Sequence, residues 1–121
     1  MNLYVDVDDT LILWSESKSG GGIYAGGHTP NAKLIEALIR WRILHLTSDH
    51  IFIWSGGGAD YAQGWAEKYL GWKLWFAALD KHEQLHSGFY IPQVGDICID
   101  DQSLETAAIV MSPKKFIEFM A

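Results

Sequence analysis

The residues best suited to chemistry lie near the start of the chain, where a short apolar run ends in carboxylates. The run 3–5 is followed by Asp6, Asp8 and Asp9, with Thr10 next. Such a run is typical of a buried strand, and three carboxylates at its end would repel one another without a cation. Asp6 and Asp8 could share one Mg²⁺, with one carboxylate attacking phosphorus and the other transferring a proton. The alternative is a strand followed by an Asp-rich turn.

Two further features could bind a phosphoryl group. Ser55 follows the apolar run 50–54 and precedes three glycines, so its hydroxyl and the N–H of Gly56 could hold a phosphoryl oxygen. Lys81 lies at a predicted helix start, where its ammonium could neutralise phosphoryl oxygens, and Lys73 is the fallback. The ordinary alternatives are a Ser-Gly turn and a solvated lysine.

A second acidic pair follows a later apolar run. Asp100 and Asp101 come directly after residues 97–99, which read Ile-Cys-Ile. Two adjacent carboxylates at a strand end are costly without a cation, so the pair favours metal ligation. A helix N-cap explains one of these residues but not both.

Strand and helix signals alternate along the chain. Predicted strands cover residues 3–6, 50–54, 73–79, 96–99 and 107–111, and predicted helices cover 30–44, 59–69, 80–86 and 113–120. Thr29 and Pro30 are predicted to open the first helix as N-cap and first helical residue. The alternation predicts an α/β fold with a Rossmann-like parallel sheet of about five strands flanked by helices. Ligands in such sheets bind at the carboxyl ends of the strands, where Asp6, Ser55 and Asp100 fall.

The stretch 12–28 contains five glycines between Gly20 and Gly27. Its position after the first acidic cluster predicts a short glycine-rich flap over the site. The remaining length leaves no room for a cap domain, so residues 1–121 are predicted to form one domain.

Composition narrows the class of protein. The formal charge is −6 and the basic residues form no long run, which disfavours nucleic acid as a partner. The six tryptophans and the 49% apolar content favour a homo-oligomer. The single cysteine, Cys98, is predicted to be a buried strand thiol in a reducing compartment. We see no signal peptide or membrane-spanning run, so the sequence predicts a cytoplasmic protein without membrane contact.

Together the motifs resemble those of the haloacid dehalogenase-like phosphohydrolases. That family has D-x-D-x-T after a hydrophobic strand, then a Ser or Thr ending a second strand, a Lys, and an acidic pair ending a later strand. The chain carries Asp6-x-Asp8-x-Thr10, Ser55, Lys81 and Asp100-Asp101 in that order. It departs from the family in the three glycines after Ser55 and in His82 after Lys81, where many relatives have Pro. The resemblance implies a small, capless, Mg²⁺-dependent phosphatase.

The resemblance also implies a role for each matched residue. Asp6 would be the nucleophile that forms an aspartyl-phosphate, and Asp8 would be the general acid and then the base that activates water. Mg²⁺ would be bound by Asp6, the Asp8 backbone carbonyl and Asp100, with Asp101 assisting through water. The acid at position 8 favours a phosphatase over a dehalogenase. The substrate would be a phosphorylated small molecule or an exposed phosphate on a larger molecule. The remaining matched residues would support the loop (Thr10) or bind phosphate (Ser55 and Lys81).

Three alternatives stay open. The first is a non-enzymatic phospho-switch similar to response-regulator receiver domains, which have a similar length, α/β alternation and acidic cluster. The second is a scaffold that mainly binds a partner. The third is a zinc metalloprotease, because residues 82–86 read His-Glu-Gln-Leu-His and fit H-E-x-x-H.

Overall fold

The structure, a computed structural model, describes residues 1–14, 27–45 and 49–121. The strands are β1 (Leu3–Asp6), β2 (Ile12–Trp14), β3 (His28–Pro30), β4 (Ile51–Ser55), β5 (Ala77–Asp80), β6 (Ile97–Ile99) and β7 (Ile109–Met111). The helices are α1 (Ala32–Leu44), α2 (Ala59–Tyr69), α3 (Lys81–Ser87) and α4 (Pro113–Phe119). None of the helices described is long and apolar enough to cross a membrane.

Five of the strands form one parallel sheet in the order β5-β4-β1-β6-β7. The prediction of a Rossmann-like α/β sheet flanked by helices is therefore confirmed. Numbered along the chain, these five strands have the order 3-2-1-4-5, with the first strand in the centre. Receiver-type domains have the order 2-1-3-4-5, so the observed topology does not support the receiver alternative.

The sheet is buried on both faces. Alternate residues of its central strands point to opposite sides, so each of these strands contributes to the core on either face. On one face, Leu3 and Val5 of β1 join a core that includes Leu38 of α1 and Phe116 of α4. On the other face, buried aromatic side chains and the cysteine form a second cluster: Tyr4, Phe52, Trp54 and Cys98. Cys98 is a buried strand thiol, as predicted, and burial raises its pKa to about 12, which keeps it protonated.

The two remaining strands form an antiparallel pair beside the sheet. β2 and β3 pair with Ile12 opposite Pro30 and Trp14 opposite His28. The predicted flap falls mainly on residues 15–26, which lie outside the described residues. Thr29 was wrong as the helix N-cap, because Asn31 accepts a hydrogen bond from the Leu34 N–H and caps α1. Thr29 and Pro30 belong to β3, where pairing with β2 outweighs the local helix-start signal.

The bounds of four predicted strands also shift, and those predicted at 96–99 and 107–111 cover Ile97–Ile99 and Ile109–Met111. The strand predicted at 73–79 begins only at Ala77, because the chain first completes a turn after α2 in which Lys73 N donates to Leu70 O at 2.7 Å. The strand predicted at 50–54 covers Ile51–Ser55, so Ser55 is paired with Asp80 at the end of β4 and β5. The shift of β4 leaves Ser55 at the carboxyl end of its strand.

Large apolar side chains are exposed in the described part of the chain. Trp72 is 94% exposed and Phe89 is 100% exposed. The predicted homo-oligomer stays a prediction, because these residues alone do not identify what covers them.

Candidate active site

Three carboxylates meet at the carboxyl edge of the sheet. Asp6 ends β1 and Asp100 follows β6, and these two strands are parallel neighbours in register. One carboxylate oxygen from each of Asp6, Asp100 and Asp101 lies within 4.8 Å of the others. Asp6 and Asp100 are buried, whereas Asp101 is exposed. The structure thus brings together three of the predicted metal ligands, and such a set of oxygen donors fits a hard divalent cation.

Lys81 supplies the positive charge at this cluster. Its Nζ lies 3.3 Å from Asp6 Oδ1 and 2.5 Å from Asp100 Oδ2. Lys81 is the first residue of α3, and Asp80 caps that helix by accepting from the Glu83 N–H at 3.0 Å. The cap fixes the helix start and so directs Lys81 towards the carboxylates. Lys73 lies in an exposed turn, so the structure places Lys81 and not the fallback lysine at the cluster.

The charges at the cluster are not balanced. Burial and the neighbouring Asp100 carboxylate raise the pKa of Asp6 to about 7, and contact with Lys81 lowers it only in part. Burial also raises the pKa of Asp101, with Asp100 adding to the effect. Burial lowers the pKa of Lys81, but its contacts with Asp6 and Asp100 outweigh burial and hold that pKa above its ordinary value. One ammonium among three carboxylates leaves excess negative charge, which a bound cation would offset.

The loop after β1 is a tight turn that presents Asp8. Asp9 adopts a left-handed backbone conformation with φ of 58°, which Asp and Asn tolerate better than most residues. Thr10 is fully buried; its N–H donates to Val7 O, and its carbonyl accepts from Asn31 Nδ2. These backbone bonds tie the turn to the N-terminus of α1, and the supporting role of Thr10 stays a prediction.

The Asp8 side chain is not part of the carboxylate group and accepts hydrogen bonds from two donors. The Tyr61 hydroxyl donates to Asp8 Oδ1 at 2.7 Å, and Trp14 Nε1 donates to the same oxygen at 3.0 Å. The side chain of Asp8 is therefore separate from the group formed by Asp6, Asp100 and Asp101. In the role that the resemblance implies, Asp8 would offer only its backbone carbonyl to a metal, and that role stays a prediction.

The turn after β4 brings Ser55 to the same edge. Ser55 is buried, and its Oγ accepts a hydrogen bond from the Gly57 N–H at 3.0 Å, which leaves the hydroxyl proton free to donate elsewhere. Asp6 pairs with Trp54, so Ser55 lies one residue beyond it on the neighbouring strand. Gly56 is exposed, and a Cβ there would meet no atom within 4 Å.

Two of the three glycines after Ser55, Gly57 and Gly58, have structural causes. A Cβ on Gly57 would lie 3.1 Å from the ring of Tyr61, so this position needs a residue without a side chain for the ring to approach. Gly58 has a φ of 106°, in the left-handed region that favours glycine, and it is the N-cap residue of α2. The run that departs from the family pattern therefore allows α2 to start close to the site.

Sequence reasoning missed Tyr61. Its spacing with Trp65 and Tyr69 indicates a packed helix face, and nothing in that spacing points to a carboxylate 53 residues earlier. The glycine run was a usable signal for the contact of Tyr61 with Asp8, because small residues before a helix allow the first turn of that helix to approach a neighbouring loop.

The H-E-x-x-H residues lie on α3, away from the carboxylates. His82, Glu83 and His86 are exposed, and the centroids of the two imidazole rings are 4.4 Å apart. Within the described ranges, the group of three or more suitable metal ligands consists of Asp6, Asp100 and Asp101. The zinc alternative stays a hypothesis, and residues 1–14, 27–45 and 49–121 add no third ligand to it.

Comparisons with protein-family models, curated proteins and solved structures found no match for this chain. The family resemblance therefore rests on the motifs themselves, and the functional argument rests on the geometry of the site.

Proposed function

We propose that the protein is a Mg²⁺-dependent phosphomonoester hydrolase of the haloacid dehalogenase type, which acts through an aspartyl-phosphate on Asp6. The observation that carries the proposal is the contact of Lys81 with both Asp6 and Asp100 at the carboxyl ends of two adjacent central strands. One phosphoryl group is thereby within reach of a carboxylate nucleophile, a cation-binding group and an ammonium that can hold phosphate.

The donor set fits the metal that the proposal needs. Asp6, Asp100 and Asp101 provide carboxylate oxygens within 4.8 Å of one another, and Mg²⁺ takes oxygen ligands. In the proposed site these residues would hold the ion together with the backbone carbonyl of Asp8. Bound there, Mg²⁺ would offset the excess negative charge and polarise a phosphoryl oxygen.

In the first step, an Asp6 carboxylate oxygen attacks phosphorus and forms a new P–O bond. The P–O bond to the leaving group breaks, and Asp8 donates its proton to the departing oxygen. Lys81, the Ser55 hydroxyl and the Gly56 N–H hold the phosphoryl oxygens, whose charge increases during the transfer.

In the second step, Asp8 acts as a carboxylate and removes a proton from water. The resulting hydroxide attacks phosphorus, the bond between phosphorus and Asp6 breaks, and inorganic phosphate leaves. Asp6 is again a carboxylate and Asp8 is again protonated, so the cycle closes.

A cavity adjoins two of the carboxylates, Asp100 and Asp101. It has a volume of about 380 Å³ and is lined by Asp100, Asp101, Gln102 and Ser103, among others. A second cavity of about 550 Å³ shares Asp101 with it and extends along α4. The proposed substrate is a phosphorylated small molecule, or an exposed phosphate of a larger molecule that reaches this edge.

The direct test is hydrolysis of 4-nitrophenyl phosphate by the purified protein with Mg²⁺, with Zn²⁺ and with EDTA. We expect turnover with Mg²⁺ and its loss in EDTA. Turnover that needs Zn²⁺ and not Mg²⁺ would contradict the proposal. Absence of turnover with this ester and with a panel of alkyl phosphates would favour a role in partner binding.

Metal binding can be measured without activity. At about 10 mM, Mg²⁺ binding with a Kd near 1 mM would stabilise the protein by about 1.4 kcal/mol and raise its Tm by roughly 4–6 °C. We expect Asp100→Asn to lose most of this shift, because it removes a buried ligand. Glu36→Gln removes an exposed carboxylate from α1 and is expected to keep the shift. Equal shifts in both variants would mean that Mg²⁺ binds elsewhere.

Glu83→Gln separates the phosphatase proposal from the zinc alternative. Glu83 is exposed on α3 and serves the helix cap through its backbone N–H, which the substitution keeps. We expect Mg²⁺-dependent turnover to be unchanged and stability to change by less than about 0.5 kcal/mol. Steady-state kinetics and thermal unfolding measure both. An inactive but folded variant would instead support Glu83 as the base of a zinc site.

A further inference from the structure

Asp8 is held by two donors that come from different parts of the chain. Tyr61 lies in the first turns of α2, and Trp14 ends β2. Both donate to Oδ1, at 2.7 Å and 3.0 Å. A carboxylate oxygen has two lone pairs in its plane, so an Oδ1 that accepts two hydrogen bonds has no lone pair left for a proton.

Trp14 and Tyr61 both act as hydrogen-bond donors towards Asp8, and neither accepts a hydrogen bond from it. The indole N–H of Trp14 is only a donor. Burial raises the pKa of Tyr61 to about 12, and Asp8 adds to this shift, while a hydrogen bond with Trp65 lowers the pKa in part. The Tyr61 hydroxyl therefore stays protonated at neutral pH and continues to donate to Asp8.

An aromatic cluster fixes the positions of both donors. The cluster consists of Trp14, His28, Tyr61, Trp65 and Tyr69. The rings of Trp14 and Tyr61 both meet Trp65 edge to face, at centroid distances of 6.0 Å and 6.4 Å. His28 of β3 contacts Trp65 at 4.5 Å, and its Nε2 lies 2.7 Å from the Tyr69 hydroxyl. The ring contacts with Trp65 fasten the β2–β3 pair to α2, with Asp8 between the two donors.

We propose that Tyr61 and Trp14 are positioning residues that hold Asp8 Oδ1 as a fixed acceptor, so that Oδ2 alone carries the proton to the leaving group. This inference rests on the proposed function, because it concerns the proton transfer by Asp8. Sequence and family pattern assign neither residue to this role. Its consequence is chemical: loss of a donor impairs protonation of the leaving group and leaves the attack by Asp6 intact.

Leaving groups separate these two effects. 4-Nitrophenolate leaves without help from an acid, whereas an alkoxide needs a proton as the P–O bond breaks. General acid catalysis typically contributes about 10²–10⁴-fold. We therefore expect Tyr61→Phe to reduce kcat/KM for an alkyl phosphate by about ten- to a hundredfold, and for 4-nitrophenyl phosphate by less than about threefold. Trp14→Phe is expected to behave in the same way.

Tyr69→Phe is the matched control. It removes a hydroxyl from the same helix and the same aromatic cluster, and that hydroxyl contacts His28 and not Asp8. We expect it to leave the ratio of kcat/KM for the two substrates unchanged. A purely structural role for Tyr61 would lower both rate constants equally in Tyr61→Phe, and that result would overturn the proposal.

NMR tests the hydrogen bonds independently of turnover. The indole N–H resonance of Trp14, assigned by its loss in Trp14→Phe, is expected to shift in Asp8→Asn and in Tyr61→Phe. An unchanged resonance in Asp8→Asn would overturn the arrangement even in an active enzyme. A wild-type protein that shows the hydrogen bonds but hydrolyses no phosphate ester would instead refute the proposed function, and the positioning role with it.

Discussion

Asp6→Asn is expected to abolish phosphate-ester hydrolysis, with a fall in kcat of at least about a thousandfold. The amide has nearly the shape of the carboxylate but cannot form the acyl-phosphate bond. The measurement is turnover of 4-nitrophenyl phosphate at saturating Mg²⁺, combined with thermal unfolding to show that the variant is folded.

The same substitution has a predictable effect on stability. The pKa of Asp6 is about 7 in the fold, against 3.8 for an ordinary Asp, so the folded state binds the proton more tightly than the unfolded state. The favourable contribution of protonated Asp6 is complete below about pH 4 and is lost as the pH rises through about 7. Asn cannot ionise. In EDTA, we therefore expect the free energy of unfolding of Asp6→Asn to increase relative to that of the wild type between about pH 5 and pH 8.

Asp9→Asn is a matched control for this experiment. It makes the same chemical change in the same turn, and Asn tolerates the left-handed backbone at position 9. We expect its activity to stay within about threefold of the wild type. If Asp6→Asn remained active, the assignment of the nucleophile would be wrong. If it unfolded at a much lower temperature, its inactivity would say nothing about chemistry.

The positions of the main site residues could be predicted from strand ends. Asp6, Ser55 and Asp100 each follow a short apolar run, and in a parallel sheet the carboxyl ends of all strands lie at one edge. This prediction did not depend on the order of the strands in the sheet. In the structure, β4 and β6 are both neighbours of β1. The apolar runs therefore predicted the edge to which the carboxylates belong.

Contacts between helix faces and loops could not be predicted from the sequence. Tyr61 and Trp65 follow the same helical spacing, yet only Tyr61 reaches Asp8. That difference depends on how closely α2 approaches the loop after β1, which is a property of tertiary packing. The N-cap of α1 was missed for a related reason: Thr29 has a favourable local signal, but its pairing with Leu13 of β2 places it in a strand.

Lys81→Ala is expected to lose both activity and stability. The Nζ of Lys81 contacts Asp6 and Asp100, and its side chain is 16% exposed. Removing one partner of a buried ion pair typically costs about 3–5 kcal/mol, and we expect about 2–3 kcal/mol here because Asp6 can take up a proton. Loss of the charge that holds the phosphoryl oxygens is expected to lower kcat/KM by about a hundredfold or more.

Mg²⁺ distinguishes the loss of stability in Lys81→Ala from the loss of activity. A cation at Asp6, Asp100 and Asp101 can replace the charge of Lys81 but not its hydrogen bonds to substrate. In denaturant unfolding, we therefore expect Mg²⁺ to restore most of the stability of Lys81→Ala, while activity stays low at every Mg²⁺ concentration. Lys73→Ala, in an exposed turn, should change stability by less than about 0.5 kcal/mol and leave activity unchanged. An active Lys81→Ala beside an impaired Lys73→Ala would move the phosphate-binding role to Lys73, and the contacts of Lys81 would then be purely structural.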